Sequence, residues 1–303
     1  MNILKLIKNP LIVYHRLKKV ISSQEFTASP EYRSHTEETG HYLKSVINAV
    51  NSYKHFKRFK RDKFYKEILE HVSMKDGKIY LNIAKSQTPE LFNRALKEVL
   101  FSDETGCPEK FYYSDFGNLS PTSLRYVKVA SDLKILFDNN IGESICEIGC
   151  GYGGQAIVLD KLFNLKKITL FDLPDVNRLI EKYMESFLIN SSYTTSTLNK
   201  AKVNEFDLII SNYAFSELPK VVQLKYIEKV INKSQKGYLT MNTGIKPNDD
   251  EGSLTIDELR NELPAFEIFE DKPNTGPFNY IIVWGHNKEA AKKIFSIKNE
   301  KLT

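Results

Sequence analysis

The hydrophobic pattern divides the chain into two parts. Up to about residue 110 the apolar positions recur at helical spacing, and no clear series of strands is visible. From about residue 120 onwards, short apolar segments alternate with helical patterns. This alternation predicts an α/β fold with a doubly wound, Rossmann-like sheet, preceded by a mainly helical N-terminal extension. We therefore expect two regions, residues 1–115 and residues 116–303.

A helix before the first strand has the clearest start in the chain. Ser120 is a favourable cap, Pro121 suits the first helical turn, and apolar residues then recur at helical spacing to Phe137. Strand–crossover–strand units are right-handed, so ligands are expected at the carboxyl ends of the strands that follow. The elements predicted after this helix are strands at 144–148, 167–171, 206–211 and 237–242, a weak segment at 193–197, and helices at 154–163, 175–189 and 219–233.

The last part of the chain predicts a short helix and two further strands. The sequence TIDE at 255–258 is a capping box that opens the helix. The segments FEIFED and NYIIVWG are typical of strands, and the turn KPNTGPF joins them. A plain dinucleotide-binding half does not need such a closing hairpin. The pattern favours a seven-stranded sheet whose last strand is inserted antiparallel.

Composition places the chain among ordinary globular proteins and narrows its location. No run of about 18 apolar residues is present, and the start lacks the apolar stretch and cleavage site of a signal peptide, so we expect a cytoplasmic protein. The three cysteines, Cys107, Cys146 and Cys150, have neither the even count of a disulfide framework nor metal-ligand spacing. We expect them to be reduced.

Positive charge is concentrated in the first fifth of the chain. Residues 1–66 carry a net charge of +9, which leaves −4 for the remainder because the whole chain carries +5. The first 20 residues could rest on an anionic membrane surface, at the inner face of the membrane, or pack as a short helix on the core. The whole N-terminal region could act as a substrate lid or in oligomerisation.

A second basic cluster mixes cations with aromatic residues at 54–66. It could attract a phosphorylated or nucleic-acid partner, or be a solvated helix face with Phe56, Phe59 and Phe64 pointing inward. No nucleic-acid-binding module follows from it, so no nucleic-acid partner is expected. The acidic run at 249–251 could bind a divalent metal, but an exposed loop is favoured, and we expect no metal site.

A glycine-rich loop, EIGCGYGG at 147–154, follows the first predicted strand. Glycine permits positive φ and close approach of the backbone to a ligand, and the next helix leaves its first amides unpaired. The glycines fit both GxGxG and GxGxxG, so they do not choose between S-adenosylmethionine and NAD. Glu147, directly before the loop, suits an ammonium group better than a pyrophosphate. Asp172 closes the next apolar segment and suits a ribose diol.

Several segments together resemble a known family. EIGCGYGGQA, FDLPDV and FDLIISNYAFSEL, with PTSLRYVKVASDL before them and FNYIIVWG near the end, resemble the bacterial sugar O-methyltransferases of the class I S-adenosylmethionine-dependent methyltransferase superfamily. The resemblance covers about residues 115–285. It implies the seven-stranded methyltransferase sheet, S-adenosylmethionine as cofactor, and a sugar or sugar-linked acceptor in surface polysaccharide synthesis.

The resemblance also implies roles for the cofactor-binding residues. Gly149, Gly151 and Gly153 would pass close to the methionine part of the cofactor. Glu147 would meet its ammonium group directly or through water, and Asp172 would take the ribose hydroxyls. The adenine contact would come from residues 194–198.

The segment after the fourth predicted strand indicates which kind of group accepts the methyl. Asn212-Tyr213-Ala214-Phe215 is similar to the Asn-Pro-Pro-Tyr loop of enzymes that methylate exocyclic amines, but both prolines are absent, so a hydroxyl acceptor is preferred. We place Asn212 with the cofactor-binding residues, and Tyr213 with those that orient the substrate.

A sugar hydroxyl is weakly acidic, so a general base is expected. Glu217 is the first candidate; its alternative role is to complement the dipole of the helix after Pro219. His286 is the second candidate, because a histidine titrates in the right range.

Two residues near the start of the 120–137 helix are expected above the cofactor. Arg125 could pair with the cofactor carboxylate or with a phosphate of the acceptor, and Tyr126 could contact the substrate. Helix packing is the alternative for both residues.

The sequence thus favours an S-adenosylmethionine-dependent O-methyltransferase. Three alternatives remain open at this point: a methyltransferase of another small acceptor, an NAD-dependent oxidoreductase, and a non-catalytic scaffold with the methyltransferase fold.

Overall fold

The structure of the protein, a computed structural model, describes residues 40–100, 103–201, 204–242, 252–276 and 279–297. The basic segment at 1–20 and the acidic run at 249–251 lie outside these residues, so the two hypotheses that concern them stay predictions.

The first part of the described chain is helical, as the sequence predicts. A π-helical turn, Leu96–Leu100, ends this helical series, and a small antiparallel hairpin follows it. Strands of three residues are too short to give a periodic pattern, and for this reason the hairpin is missing from the prediction. The elements are α1 His41–Asn51, α2 Tyr53–Phe56, α3 Lys63–Leu69, α4 Met74–Gln87 and α5 Pro89–Ala95, then β1 Phe111–Tyr113 and β2 Gly117–Leu119.

Helix α6, Pro121–Leu136, begins at the predicted cap. The side chain of Ser120 accepts a hydrogen bond from the backbone N–H of Ser123, and Pro121 occupies the first turn. The helix is buried on nearly all sides, because α4 and α5 cover the face that points away from the sheet. Its two buried charges, Lys128 and Asp132, form an ion pair at 2.7 Å.

Seven strands form one sheet in the order β5-β4-β3-β6-β7-β9-β8. All neighbours are parallel except at β9, which pairs antiparallel with both β7 and β8. The observed order and the inserted antiparallel strand confirm the predicted Rossmann-like methyltransferase fold. The strands are β3 Ser144–Ile148, β4 Lys167–Phe171, β5 Ser192–Ser196, β6 Phe206–Asn212, β7 Ser234–Met241, β8 Glu267–Glu270 and β9 Tyr280–Trp284.

Helices connect these strands, and two of them are shorter than predicted. The carboxylate of Asp160 accepts the N–H groups of Asn190 and Ser191, which turns the chain into β5 soon after the helix ends at Met184. The predicted capping box at Thr255 is present. The helices are α7 Gly154–Leu162, α8 Pro174–Met184, α9 Lys220–Lys229, α10 Ile256–Glu262 and α11 Lys288–Ile294.

Two buried hydrophobic clusters cover the two faces of the sheet. One lies under α9 and α10. The other joins α6, α7 and α8 to the N-terminal helices, so that Leu81 and Phe92 lie in the same cluster as Val127 and Leu179. The helices before residue 115 therefore pack as part of the same body, and they bring side chains to the carboxyl edge of the sheet.

Candidate functional site

A cavity of about 1150 Å³ opens at the carboxyl edge of the parallel strands. This volume lies just above the roughly 300–1000 Å³ that is typical of small-molecule sites, so the cavity is a large one. One wall consists of the loops that follow β3, β4 and β5. The opposite wall comes from α1, α3 and α4 and from residues around Thr275 and Asn279. This is the edge at which the sequence predicts ligand binding.

The glycine loop forms part of the cavity wall. Gly149 and Gly151 line it with φ of +72° and +58°. A Cβ on Gly149 would lie 2.0 Å from the Cβ of Ala214, and one on Gly151 would lie 2.9 Å from a methyl of Leu69. Both positions thus need glycine for conformation and for space. Gly153 precedes α7 as its cap and does not line the cavity.

Asp172 lies at the end of β4 and faces the cavity. One of its carboxylate oxygens accepts the N–H of Gly151 at 3.0 Å, and the other accepts that of Leu173 at 2.8 Å. These bonds fix the carboxylate beside the glycine loop. A carboxylate offers about four acceptor positions, so the two backbone bonds are compatible with hydroxyl donors from a ligand.

Glu147 is buried beneath the glycine loop and is not on the cavity wall. Its Oε2 has no hydrogen-bond partner among the described residues. Burial, and then the charge of Asp172, raise the pKa of its carboxyl well above the ordinary value. A nearby cation would favour the ionised form instead.

The segment that follows β5 forms a polar rim of the cavity. The lining residues run without a break from Thr195 to Lys200. They include four of the five residues, 194–198, from which an adenine contact is expected.

The loop after β6 brings three predicted residues together. Asn212, Tyr213 and Glu217 all line the cavity. The side-chain amide of Asn242 donates a hydrogen bond to Glu217 Oε1 at 3.0 Å, so the carboxylate is held in a fixed position at the wall.

Tyr213 has an unusual backbone conformation for a large side chain, with φ of +67°. Its hydroxyl donates a hydrogen bond to Asp271 at 2.7 Å, and burial, together with the charge of Asp271, raises its pKa well above the ordinary value. The phenol is therefore neutral at neutral pH and has hydrogen-bonding capacity at the cavity wall.

The side chains of Arg125 and Tyr126 point in different directions, although the two residues are neighbours on α6. Arg125 lines the cavity, whereas Tyr126 turns inward and packs edge-on against Tyr152. The prediction that Tyr126 contacts the substrate disagrees with this placement. Adjacent residues on a helix point about 100° apart, so only one of the two can face the cavity.

His286 lies at the opposite edge of the sheet, and this corrects its prediction as a base. Trp284, at the end of β9, pairs with Gly237 near the start of β7, so the residues after β9 leave the sheet away from the cavity. The ring of His286 bonds to Glu267 at 2.9 Å and packs against Phe269.

Several residues that line the cavity are not predicted from the sequence. His71 and Tyr80 come from the N-terminal helices, and Asn279 comes from the residue before β9. No local motif marks them, because each reaches the cavity only through packing between distant segments.

Within the part of the chain that the structure describes, no helix is both long enough and apolar enough to cross a membrane. Among the same residues, no group of three or more histidine, cysteine, aspartate or glutamate side chains is arranged to hold a metal ion.

Comparison with known proteins gives structural likeness alone. No protein-family model matches the chain, and no curated protein matches its sequence. Magnesium protoporphyrin IX methyltransferase from Synechocystis PCC 6803, with bound S-adenosylhomocysteine, is 14% identical, with a TM-score of 0.39 over 53% of this chain and 81% of its own.

Two further solved structures give similar figures. An S-adenosylmethionine-dependent methyltransferase from Clostridium acetobutylicum ATCC 824 is 13% identical, with a TM-score of 0.41 over 51% of this chain and 87% of its own. A protein assigned as an O-methyltransferase from Nostoc punctiforme PCC 73102 is 12% identical, with a TM-score of 0.38 over 69% and 71%. At these scores the likeness carries no inference about activity, which has to rest on the site.

Proposed function

We propose that the protein is an S-adenosylmethionine-dependent O-methyltransferase. The observation that carries this proposal is the position of the glycine loop and Asp172, which line one cavity at the carboxyl edge of a sheet with an inserted antiparallel strand. A dinucleotide-binding fold has no need of that strand, so the proposal favours the sulfonium cofactor over NAD.

The residues present fit this cofactor. Gly149 and Gly151 let the backbone approach a ligand where any Cβ would collide. Asp172 offers acceptors for a ribose diol, and the rim at 195–200 offers polar groups for an adenine. Glu147, buried with an unpaired oxygen, would be compensated by a cationic group above the loop.

The cofactor supplies an activated methyl group, and the protein's residues do the rest. In-line displacement requires the acceptor oxygen to be held in line with the methyl group and away from water, so positioning supplies most of the rate. We assign the cofactor to the wall formed by the strand loops. The acceptor then occupies the wall formed by α1, α3 and α4, to which Tyr42, Val72 and Tyr80 contribute apolar surface that helps to exclude water.

The acceptor that we propose is a hydroxyl of a sugar or a sugar-linked molecule. This class, and a place in surface polysaccharide synthesis, rest on the resemblance of the motifs SPTSLRY and SNYAFSEL. The mixture of aromatic and polar groups on the acceptor wall is compatible with a ring that has one apolar face and a rim of hydroxyls.

Glu217 is the proposed general base. It lines the cavity beside Tyr213, and the side-chain amide of Asn242 donates a hydrogen bond to its carboxylate, which positions a proton acceptor at the cavity wall. Tyr213 would orient the acceptor from the same loop.

Isothermal titration calorimetry of the full chain tests the cofactor. We expect binding of S-adenosylhomocysteine and no heat with NADH under the same conditions. Binding of NADH without binding of S-adenosylhomocysteine would overturn the proposal. If the chain binds neither ligand, the protein is a scaffold with this fold, and the proposed activity is equally refuted.

The acceptor is sought with radiolabelled cofactor. The protein, S-adenosylmethionine with a labelled methyl group, and a panel of nucleotide sugars and glycan extracts are incubated together. We expect label in a sugar fraction, stable to base as an ether is. Label only in another class of small molecule would refute the sugar acceptor and leave methyl transfer intact.

A further inference from the structure

Arg125 holds a positive charge at the cavity wall, and no carboxylate of the described residues forms an ion pair with it. Its Nε is enclosed and has no hydrogen-bond partner among the described residues. The phenols of Tyr80, Tyr126 and Tyr213 interact electrostatically with its guanidinium, and none of these groups is a carboxylate. An enclosed guanidinium needs a partner to offset the loss of its hydration.

The three phenols cannot supply that partner as anions. Burial raises the pKa of Tyr80 to about 12 and raises the pKa values of Tyr126 and Tyr213 as well, so all three stay protonated at neutral pH. As neutral phenols they do not offset the positive charge, and the hydroxyl of Tyr213 already donates its hydrogen to Asp271. A guanidinium fork whose charge no anion offsets suits a carboxylate or a phosphate.

His71 faces the same space from the loop between α3 and α4. Burial, and then the charge of Arg125, lower the pKa of its imidazole, and these effects outweigh the carbonyl of Ile68 and the carboxylate of Asp76. The ring is therefore neutral at neutral pH. Asp76, for its part, accepts hydrogen bonds from the hydroxyl of Ser73.

We propose that Arg125 and His71 together form an oxyanion-binding subsite on the cavity wall, which takes a carboxylate or a phosphate. The anion pairs with the guanidinium of Arg125 and removes the repulsion that this charge exerts on His71. His71 then takes up a proton from water more readily and adds a second cation to the site. Because linkage is reciprocal, protonation of His71 strengthens anion binding in turn.

Two sources can provide the oxyanion. One is the carboxylate of the cofactor's amino-acid tail, and this source rests on the proposed function. The other is an acidic group of the acceptor. In both cases the loaded cavity contains a histidine of raised basicity on its wall.

The test follows the titration of His71 by NMR in the full chain, with ¹³C-labelled histidine. The six histidines give separate signals, and His71→Gln identifies the one of interest. The midpoint of the His71 titration is measured in the protein without ligand, with S-adenosylhomocysteine, and with 5′-methylthioadenosine, which lacks the amino-acid tail. It is also measured with inorganic phosphate, and chloride of equal ionic strength serves as the reference.

An upward shift of the midpoint with S-adenosylhomocysteine, but not with 5′-methylthioadenosine, supports the subsite and identifies the cofactor tail as its anion. An upward shift with phosphate, alone or added to the 5′-methylthioadenosine complex, supports the subsite and identifies an acceptor anion. No shift with any of these ligands overturns the proposal. Since binding of the two nucleosides is detected separately by calorimetry, failure of the subsite is distinguishable from failure of the proposed function.

Two variants sharpen the result. Arg125→Gln should raise the titration midpoint of His71 in the absence of ligand and abolish the shift that ligand causes. Arg125→Lys keeps the positive charge, so it should retain part of the low midpoint and part of the shift on ligand binding. Arg178→Gln is the matched control, because Arg178 also lines the cavity but pairs with Asp175. A midpoint of His71 that is the same in Arg125→Gln as in the unmodified protein would refute the coupling.

Discussion

Asp172 is the side chain at which the glycine loop and the proposed cofactor meet. Its carboxylate accepts the N–H of Gly151 and that of Leu173, so it both holds the loop and faces the ribose position. A loss of this side chain should therefore affect affinity more than it affects the fold of the sheet.

Asp172→Ala is expected to weaken binding of S-adenosylhomocysteine by about 10- to 100-fold, because hydrogen bonds to a charged group contribute about 1.5–3 kcal/mol. Calorimetry measures the affinity, and thermal unfolding checks that the chain still folds. Asp175→Asn is the control, since Asp175 lines the same cavity but pairs with Arg178. Unchanged affinity in Asp172→Ala would show that the ribose assignment is wrong.

Gly149→Ala tests whether the loop needs its space. The new Cβ would lie 2.0 Å from that of Ala214 at a φ of +72°, so we expect a loss of about 1–3 kcal/mol of stability and loss of ligand binding. Gly117→Ala is a matched control, because Gly117 has a φ of +79° and open space around its Cβ position. Denaturant unfolding and calorimetry of both variants separate the steric clash from backbone strain. Equal effects in the two variants would contradict the steric argument.

Glu217→Gln tests the proposed base without removing its anchor. The amide oxygen of glutamine can still accept the hydrogen bond from Asn242, so the loop should keep its shape. With an identified acceptor, we expect turnover to fall about 10²- to 10⁴-fold while the affinity for S-adenosylhomocysteine stays the same. Stopped-time assays over a pH range measure the rate; full turnover in the variant would exclude Glu217 as the base.

At the scale of elements, the regular part of the fold follows from local pattern. β3 and β4 have the predicted bounds, since apolar runs bounded by polar residues specify a buried strand. The turn from α8 into β5 was not predictable, because it depends on the hydrogen bond from Asn190 to Asp160, which lies 30 residues earlier in the chain. The burial of α6 on nearly all sides depends likewise on helices that precede it.

The cofactor half of the site was predictable, and the acceptor half was only partly so. Asp172 directly follows β4 and Asn212 is the last residue of β6, so a strand prediction places both at the right edge. The same rule misplaced His286, because the carboxyl end of an antiparallel strand lies at the opposite edge. His71 carries no local signal, since it reaches the cavity only through the packing of the N-terminal helices.

Lys60 shows how a basic cluster can conceal a buried charge. The cluster at 54–66 has Phe56 and Phe59 inward, as one of its two interpretations holds, whereas Phe64 is only half-buried. Lys60 is also buried and pairs with Asp103 at 2.9 Å. Burial raises the pKa of the Asp103 carboxyl, yet Lys60 and the hydroxyl of Ser123 outweigh this effect and hold it below the ordinary value.

Lys60→Met should leave Asp103 as an uncompensated buried charge and cost about 3–5 kcal/mol of unfolding free energy at neutral pH. Because the folded-state pKa of Asp103 is lowered, its stabilisation is present above the unfolded pKa and is lost as pH falls through the folded pKa. The difference in unfolding free energy between Lys60→Met and the unmodified protein should therefore become smaller in acid. Urea unfolding at several pH values measures it.

The control for this experiment is Lys57→Met, at an exposed position of the same cluster. It should change stability by no more than about 0.5 kcal/mol. A double variant, Lys60→Met with Asp103→Asn, should recover part of the loss. Equal effects of Lys60→Met and Lys57→Met would show that the buried pair contributes nothing.

At the scale of the whole molecule, the N-terminal helices and the sheet share a hydrophobic cluster. Leu81 and Phe92 lie in one cluster with Leu124 and Val127 of α6. The helices also form one wall of the cavity. The division at residue 115 is therefore a division of sequence pattern, and we expect the two parts to fold together.

A chain of residues 116–303 should lack a cooperative thermal transition, because the face of α6 that packs against α4 and α5 would be exposed to water. The full chain should show a single transition, measured by circular dichroism. A cooperative transition in the shorter chain, together with binding of S-adenosylhomocysteine, would show that the helices serve the acceptor alone.

The contact between α1 and α8 has a consequence for the synthesis of the chain. The ammonium group of Lys182 donates hydrogen bonds to the carbonyls of Ala49 and Val50, which end α1 and lie 133 and 132 residues earlier. At about 5–20 residues per second, a ribosome needs roughly 7–26 s to add that length. During this interval α1 has only its contacts with nearby segments such as α2 and α3, and the side that α8 covers in the folded protein stays exposed to water.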